Sequence, residues 1–239
     1  MSAGFNLFEK IKRTRPNNFV GYWPMNENSG NAVEHMHAYH GLNTSVSLAD
    51  RQIYGPDGGP CYYFDGTNSY CNIYAAQPLE PTLIGTASIW FACEKGYLEG
   101  TTLGRLLTLG ANATTNVILI EKTATANTFR LAYIAGSTTD SVSPTIYVGG
   151  VGNQFPEWHN LAMTWSATAD ALKVYVDGLQ SGSTQSSLGT WSGSMASTLM
   201  TIGAAATTPT SVFNGWLAHC AVWSVVLTDD EIRDLANPH

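Results

Sequence analysis

Residues 212–235 constrain the fold more than any other part of the sequence. They begin with a β-type run, Val-Phe-Asn-Gly-Trp-Leu-Ala-His-Cys-Ala-Val-Trp, and pass at Thr228 into a short helical pattern. Thr228 and Glu231 are spaced as in a capping box, in which the hydroxyl and the carboxylate each accept a backbone N–H of the first turn. Asp229 and Asp230 favour the positive end of the helix dipole. The segment predicts a strand followed by one short C-terminal helix, a combination that closes a particular kind of β-sandwich.

Short β-type runs separated by turn clusters fill the chain from Phe19 onward. Residues 172–176 alternate between apolar and other side chains, which predicts a strand with Leu172, Val174 and Val176 in the core and Tyr175 toward solvent. Asp177-Gly178 then predicts a tight hairpin turn. Other runs cover residues 88–93, 117–120, 129–134, 145–148 and 160–165. A chain of 239 residues can bury its own core, so one all-β domain is expected.

The low charge of the chain limits its partners. Only 12% of the residues are charged, about half the usual share, so Ser, Thr, Asn and Gly must cover much of the surface. Such a surface suits glycans or a packed assembly better than nucleic acid. There is no apolar run long enough for a transmembrane helix and no pattern of a secretory signal, so neither a membrane span nor secretion is predicted.

The N-terminal segment carries an unusual concentration of positive charge. Four of the eleven basic residues lie within the first fifteen positions, opposed there only by Glu9. This arm therefore carries a charge of +3 (4 − 1) and the remainder −10 (−7 − 3). Its apolar residues have roughly helical spacing up to Pro16, which predicts a docking arm over residues 1–18, either an amphipathic helix or irregular, ahead of a sandwich over residues 19–239. A solvated tail is the alternative. The predicted docking residues are Phe5, Phe8, Lys10, Ile11, Lys12, Arg13 and Arg15.

Six sequence pieces, in order along residues 20–235, carry a family resemblance. They are Gly21-Tyr-Trp-Pro-Met-Asn-Glu27 with Ser29-Gly30 and Gly41, Phe64-Asp-Gly-Thr-Asn-Ser-Tyr70, Ala87-Ser-Ile-Trp90, Trp158-His-Asn-Leu-Ala-Met-Thr-Trp165, Leu172-Lys-Val-Tyr-Val-Asp-Gly178, and Phe213-Asn-Gly215 with Leu227-Thr-Asp-Asp-Glu-Ile232. Together they resemble the laminin-G-like group of the concanavalin A-like lectin/glucanase superfamily. The resemblance implies a jelly-roll sandwich of two antiparallel sheets. It does not choose a function, because this fold hosts lectins, glycosidases, adhesion modules and structural proteins.

The chain departs from the family pattern where many members help to hold a structural calcium. Ala218 and His219 occupy the places of acidic residues that commonly follow the Phe-Asn-Gly element. Calcium binds several oxygen ligands, which these two side chains do not supply. The resemblance therefore implies that the calcium site is absent, or that it depends on Asn26, Glu27 and backbone carbonyls. No cofactor is predicted.

A histidine-rich loop offers an alternative metal site. His35, His37 and His40, together with His219, could bind zinc through imidazole nitrogens. The favoured interpretation is a polar loop whose rings make local hydrogen bonds, since no Cys or carboxylate completes a recognised spacing.

The carboxylates do not predict an enzyme. Retaining glycosidases on this sandwich typically carry their acids at alternate positions of one strand, and the chemistry needs two carboxyl groups about 5–5.5 Å apart. The nearest candidates, Glu94 and Glu99, flank a Gly96-Tyr97 loop. A glycoside hydrolase is therefore the least favoured function.

Aromatic residues in polar surroundings are the candidates for a glycan site, since sugars stack on indole and phenol rings. Trp191 stands in the polar run Leu-Gly-Thr-Trp-Ser-Gly-Ser, and Tyr97 and Tyr54 have similar settings. The equal alternative is that Trp191 folds back as a lid on the sandwich edge. Core positions of the family account for Trp23, Trp90, Trp165 and Trp223.

The four cysteines do not form a disulfide framework. Cys61 and Cys71 flank a turn and could be bridged across a hairpin, although unbridged thiols are favoured. Cys93 and Cys220 are expected to be small buried hydrophobes.

Two function classes remain open, and they do not exclude each other. The favoured one is a non-enzymatic display or adhesion protein, docked by its arm on a capsid or tail and exposed on the virion surface after synthesis in the host cytoplasm. Laminin-G-like domains recur in tailed-phage head and tail proteins, and this chain is similar to that usage. Recognition of a surface glycan is its second role. The alternative is a stand-alone, extracellular lectin module. A homotrimer is a further expectation for a surface-display protein.

Overall fold

Two stacked antiparallel sheets form the body of the protein. The computed structural model describes residues 6–48, 53–147 and 156–238, and within these ranges each sheet has seven strands. The first sheet has the order β1-β14-β5-β10-β11-β12, and β3 also pairs with β14. Its strands are β1 (Phe19–Trp23), β3 (Tyr62–Asp65), β5 (Ile84–Ala92), β10 (His159–Ser166), β11 (Ala171–Val176), β12 (Leu179–Gln180) and β14 (Asn214–Trp223).

The second sheet has the order β2-β4-β13-β6-β7-β8-β9. Its strands are β2 (Leu42–Thr44), β4 (Tyr70–Asn72), β6 (Gly104–Asn112), β7 (Asn116–Lys122), β8 (Phe129–Ala135), β9 (Thr138–Val142) and β13 (Met200–Ile202). The architecture is the predicted jelly-roll sandwich, and strand neighbours that are distant in sequence, such as β14 beside β5, bring the two halves of the chain together.

Alternate residues of facing strands build the core between the sheets. On β5, Ala87, Ile89 and Phe91 pack in this inner cluster, whereas Trp90 and Ala92 pack in a second cluster on the outer side of the first sheet. This division follows from the period of two in a strand. The predicted core tryptophans are all buried, at 0–4% exposure: Trp23, Trp90, Trp165 and Trp223.

Two helices cover part of the outer side of the first sheet. α1 (Leu7–Arg13) buries Leu7 and Ile11 in the outer cluster, and α3 (Asp229–Leu235) lies in contact with α1. A third helix, α2 (Lys95–Glu99), follows β5, and two 3-10 turns span Pro16–Asn18 and Tyr74–Leu79. In the part of the chain that the structure describes, every helix is too short to cross a lipid bilayer.

The predicted start of α3 is confirmed. The Thr228 hydroxyl accepts the Glu231 N–H at 3.2 Å, and the Glu231 carboxylate accepts the Thr228 N–H at 2.8 Å. This reciprocal pair satisfies two backbone donors that a helix start leaves open. The acidic run is therefore accounted for by helix formation.

The β11 hairpin is also confirmed, with one correction. Asp177 and Gly178 both adopt positive φ, at 48° and 79°, and join Val176 to Leu179 in a two-residue turn. The prediction that Tyr175 faces solvent is wrong. Its ring is 1% exposed, because α3 covers it and its hydroxyl donates to Asp229 at 2.7 Å.

Two other predictions are corrected. Residues 145–147 make an isolated bridge between Thr145 and Thr128 rather than a strand, and residue 148 lies outside the described residues. The four cysteines are thiols, so Cys61 and Cys71 are not bridged. Cys61 packs in the outer cluster and Cys71 in the inner one, on opposite sides of the first sheet, which explains why they do not meet.

Candidate binding site

A row of aromatic side chains crosses one end of the outer side of the first sheet. Trp216 on β14 lies opposite Tyr63 on β3 and opposite Ala92 on β5. The Tyr63 and Trp216 rings are 5.1 Å apart between centroids. Trp158 precedes β10, whose register with β5 directs it toward Ala92, and it packs on the same outer cluster. Three large rings therefore lie around one small residue.

The loop of residues 53–60, called here the 53–60 loop, lies beside this row. The Trp158 indole N–H donates to the Tyr54 carbonyl at 2.7 Å, and Ile53 packs in the outer cluster. The Gly55 N–H donates to the Gly59 carbonyl at 2.7 Å, which closes the loop on itself. The Tyr54 side chain is left 71% exposed.

Tyr54, Tyr63, Trp158 and Trp216 are called here the aromatic patch. Tyr54 is exposed, Tyr63 and Trp158 are half-buried, and Trp216 is the buried base of the group. The Tyr63 hydroxyl donates to the Asn214 side-chain oxygen at 3.2 Å, which fixes the ring. Tyr63, Trp158 and Trp216 thus offer an anchored apolar surface with polar atoms at its edges, which is suited to binding.

A buried hydrogen-bonded chain holds the far side of the 53–60 loop. The Tyr22 hydroxyl lies 2.7 Å from His219 Nδ1, and His219 Nε2 lies 3.3 Å from the Asp57 carboxylate. His219 is 2% exposed and sits at an irregularity of β14 with a positive φ of 49°. Such β-bulges re-aim a side chain, and here the imidazole reaches both β1 and the loop.

The pKa shifts define the charges along this chain. Burial first, and then the Asp57, Glu9 and Glu27 carboxylates, raise the pKa of Tyr22 well above its usual value, so its hydroxyl keeps its proton. Burial tends to raise the pKa of Asp57, but the hydrogen bond and charge of His219 and the Gly59 N–H outweigh it and lower that pKa. An ionised Asp57 only accepts, so His219 Nε2 carries a proton toward it, while Nδ1 shares a hydrogen bond with the Tyr22 hydroxyl. Although this order resembles a hydrolase triad, the Tyr22 hydroxyl is buried and no substrate can reach it.

The three residues predicted to bind a glycan have different surroundings in the structure. Tyr54 is exposed as predicted, but the prediction of an exposed Trp191 is wrong. The Trp191 side chain is 8% exposed, its N–H donates to the Gly193 carbonyl at 2.9 Å, and its ring packs on Tyr133 at 5.9 Å. The loop folds the indole back into the inner cluster, which is the lid alternative.

Tyr97 is also turned inward. Its ring packs edge-on against Phe213 at 5.6 Å, and Lys122 lies 5.7 Å from the ring centroid. Burial is the main cause that raises the pKa of this phenol. The half-buried Tyr97 therefore supports α2 against the sandwich rather than standing exposed as Tyr54 does.

The histidine loop is organised by a carboxylate and not by a metal. Glu34 accepts the backbone N–H of Tyr22 at 2.9 Å, of Met36 at 2.8 Å and of His37 at 2.5 Å. His40 Nδ1 accepts the Glu34 N–H at 3.0 Å. His35 packs on Phe8 and His37 on Tyr39. The zinc alternative is not supported, because no three His, Cys, Asp or Glu side chains converge within the described ranges.

The predicted calcium alternative does not fit this end of the chain either. The Glu27 carboxylate accepts from the Tyr62 hydroxyl at 2.5 Å and from the Val33 N–H at 2.8 Å. Its oxygens are thus engaged by the protein. Beside the β14 irregularity, Ala218 supplies no ligand and both His219 nitrogens have protein partners. Asn26 alone does not provide the oxygen set that calcium needs.

The basic arm docks on the protein's own sandwich. Ile11 is 2% exposed, so the prediction that it faces a partner is wrong. Phe8 packs on Tyr22. Lys10 pairs with Asp234 at 3.9 Å, and Arg15 with Glu231 at 2.6 Å. Phe5 lies outside the described residues.

The other two cations of the arm make ion pairs within α1. Lys12 and Arg13 pair with Glu9 on the same helix, at 3.9 and 3.8 Å. The charge distribution predicted that the basic arm would bind an acidic neighbour. That neighbour is largely α3 of the same chain, which pairs with Lys10 and Arg15.

The carboxylates that could suggest an enzyme have structural roles. Glu94 precedes the first turn of α2, and Glu99 pairs with Lys95 at 3.6 Å. Glu121 is 2% exposed and is held at 2.6 Å by Arg130, with Arg105 at 2.9 Å. None of these three forms a pair that flanks an open cleft.

Sequence reasoning missed three of the four residues of the aromatic patch. Tyr63, Trp158 and Trp216 lie in pieces that carry the family resemblance or adjoin them, and were not considered as surface residues. β3 reads Tyr-Tyr-Phe-Asp, with no apolar–polar alternation in its first three positions, and β14 is buried on both faces, so periodicity did not mark these side chains as surface residues. That three strands meet at one end of the sheet is visible only in the fold.

The fold and the patch define a class: a jelly-roll sandwich with an aromatic surface at one end of a sheet. The chain matches the family described as the concanavalin A-like lectin/glucanases superfamily over residues 65–233, and it belongs to that family. A search of curated proteins found no match.

Solved structures share the fold at low sequence identity. The binding domain of botulinum neurotoxin DC, solved with rat synaptotagmin II, superposes with a TM-score of 0.64 and 11% identity, over 92% of this chain and 51% of that one. The binding domain of botulinum neurotoxin serotype D gives 0.62 and 10%, over 92% and 51%. The chain thus spans about half the length of these binding domains. The CBM40 of Ruminococcus gnavus IT-sialidase, bound to alpha2,6 sialyllactose, gives 0.54 and 14%, over 68% and 88%.

Proposed function

We propose that this protein is a non-catalytic recognition module that binds a surface glycan at the aromatic patch. The observation that carries the proposal is the 71% exposed Tyr54 side chain, on a loop whose backbone is held to Trp158 by the indole hydrogen bond to the Tyr54 carbonyl. An exposed ring on an anchored backbone supplies a stacking surface at lower entropic cost than one on a free loop. Among proteins of this fold, one neighbour is bound to a sialyllactose and another is a receptor-binding domain.

The engaged carboxylates support binding rather than hydrolysis. Glycoside hydrolysis needs two carboxyl groups at a set separation on either side of the scissile bond. The buried Glu34 and Glu121 are instead occupied by backbone N–H groups and by arginines. Stacking on rings and hydrogen bonding at their edges require no such pair.

A glycan array tests the proposal. The wild-type protein is compared with Tyr54→Ala and with Tyr147→Ala, a matched control, because Tyr147 is 74% exposed and follows the bridge to Thr128 beside the second sheet. Removing one stacking ring costs about 1–3 kcal/mol in comparable sites, or roughly 5- to 150-fold in affinity. We expect specific glycan signals that Tyr54→Ala weakens and Tyr147→Ala leaves unchanged. A blank array with folded protein would contradict glycan recognition.

Display on a particle surface, such as a phage capsid or tail, is the second part of the proposal. The exposed side of α1 supports it, since Arg13 projects there with 60% of its side chain exposed beside Lys12. Because Leu7 and Ile11 hold α1 on the sandwich, attachment would use the charged side of the helix. Reversing both charges, Lys12→Glu with Arg13→Glu, is expected to abolish co-sedimentation with particles from producing cells. Unchanged co-sedimentation would contradict docking through α1.

A further inference from the structure

We infer that the chain Tyr22–His219–Asp57 is a metal-free tie that fixes the 53–60 loop, beside the position where other members of the family commonly carry acidic residues. The inference assigns a positioning role to His219 and Asp57. Any effect of these two residues on a ligand at Tyr54 depends on the proposed function. The structural role of the tie in holding the loop does not depend on it.

The three groups of the tie come from three separate parts of the fold. Tyr22 lies on β1, His219 at the irregularity of β14, and Asp57 in the 53–60 loop. The His219 backbone also donates to the Pro24 carbonyl at 3.0 Å. The positive φ of His219 turns its imidazole toward the other two groups instead of into the strand ladder. One side chain therefore links two strands and a loop.

Every polar atom along the tie has a protein partner. Tyr22 and Nδ1 share a hydrogen bond, Nε2 faces one Asp57 oxygen, and the other Asp57 oxygen accepts the Gly59 N–H at 3.1 Å. A buried polar chain is stabilising when each member is satisfied. A cation at this point would have to displace His219 from Asp57 and would gain no oxygen from Ala218. Hydrogen bonds within the protein therefore hold this point of the fold without an ion.

The tie and the Trp158 indole hold the 53–60 loop from two sides. The Trp158 indole fixes the Tyr54 carbonyl on one side, and Asp57 fixes the tip of the loop on the other. The contacts within the loop, from Gly55 to Gly59 and from Gly58 to Gly55, are short-range and do not attach it to a strand. Loss of Asp57 therefore leaves the tip of the loop without its link to β14 while the sandwich stays folded.

Hydrogen exchange on the full chain tests this, with mass spectrometric readout of the peptide covering residues 53–60. Three proteins are compared, each in CaCl₂ and in a chelator: wild type, Asp57→Ala and Asp57→Asn. A hydrogen bond to a charged group contributes about 1.5–3 kcal/mol, so we expect exchange in this peptide to be roughly tenfold faster or more in Asp57→Ala. Asp57→Asn retains one oxygen that can accept from Nε2 but loses the acceptor of the Gly59 N–H, so its exchange is expected to lie between those of wild type and Asp57→Ala. Calcium is expected to change none of these rates.

Asp65→Ala is the matched control. Asp65 caps its own loop by accepting the N–H groups of Thr67, Asn68 and Ser69 at 2.8–3.2 Å. Its removal should speed exchange in residues 65–69 and leave residues 53–60 unchanged.

Three results would overturn the inference. The first is slower exchange of residues 53–60 in the wild-type protein when calcium is added. The second is an exchange rate in Asp57→Ala that equals the wild-type rate. The third is a loss of protection in Asp57→Asn that equals the loss in Asp57→Ala. Because no ligand is added, a blank glycan array would reject the proposed function and leave this inference standing.

Discussion

Replacing Trp191 by alanine distinguishes a core indole from a surface platform. A tryptophan side chain buries about 150–250 Å², and only 8% of Trp191 is exposed. At about 25 cal/mol per Å² the lost burial corresponds to roughly 4–6 kcal/mol before the loop relaxes. Measured losses for Trp→Ala in cores are about 3–5 kcal/mol, and the hydrogen bond to the Gly193 carbonyl is lost as well. We expect the free energy of unfolding to fall by about 3–5 kcal/mol.

Thermal unfolding followed by circular dichroism measures this loss. For a domain of this size each kcal/mol lowers Tm by about 2–4 °C, so we expect Tm to drop by at least about 6 °C. Tyr54→Ala serves as the control, because its exposed ring should change stability by no more than about 0.5 kcal/mol. A loss below about 1 kcal/mol in Trp191→Ala would show that the indole does not belong to the core and would refute the reasoning.

Three further predictions concern the arm, the C-terminal helix and the response to acid. Ile11→Ala should lower the unfolding free energy by about 2–4 kcal/mol in denaturant titration, since the side chain is 2% exposed; a change below 0.5 kcal/mol would mean that α1 is undocked. Thr228→Ala removes the capping hydroxyl and should cost about 0.5–2 kcal/mol, whereas Thr228→Ser should be nearly neutral. The hydrogen bonds from Tyr175 and Lys173 lower the pKa of Asp229, and His219 and Gly59 lower that of Asp57. Their contribution to stability is present above the ordinary carboxyl pKa of about 4 and is lost as the pH falls through the lowered values. The urea concentration at the unfolding midpoint should therefore decrease in wild type as the pH is lowered below about 4, and it should decrease less steeply in Asp57→Asn. Equal dependence on pH in the two proteins would contradict this assignment.

Local patterns predicted the elements whose causes are local. The capping box at Thr228 and the turn at Asp177-Gly178 depend on residues a few positions apart, and both form as predicted. The apolar alternation of β11 correctly placed Leu172 and Val174 in the core. It failed for Tyr175, because whether the second face of a strand meets water depends on what packs there, and α3 comes from more than fifty residues away.

The candidate site could not be predicted because it is assembled from distant segments. The aromatic patch combines the 53–60 loop, β3, the start of β10 and the start of β14, which become neighbours only through the strand order of the first sheet. The polar surroundings of Trp191 in the sequence suggested exposure, yet a short polar loop can close over the sandwich with its one large apolar ring directed inward. His219 could be recognised as a departure from the family, but its partner Asp57 could not, because the β14 irregularity that joins them is not visible in the sequence.

The central claim is that Tyr54 and its neighbours form the recognition surface. The most direct measurement is calorimetric titration of the strongest array glycan into wild type, Tyr54→Ala and Tyr147→Ala, after all three show the same Tm. The account predicts that Tyr54→Ala raises Kd at least about fivefold while Tyr147→Ala matches wild type. An unchanged Kd in Tyr54→Ala, or an equal loss in both variants, would contradict it.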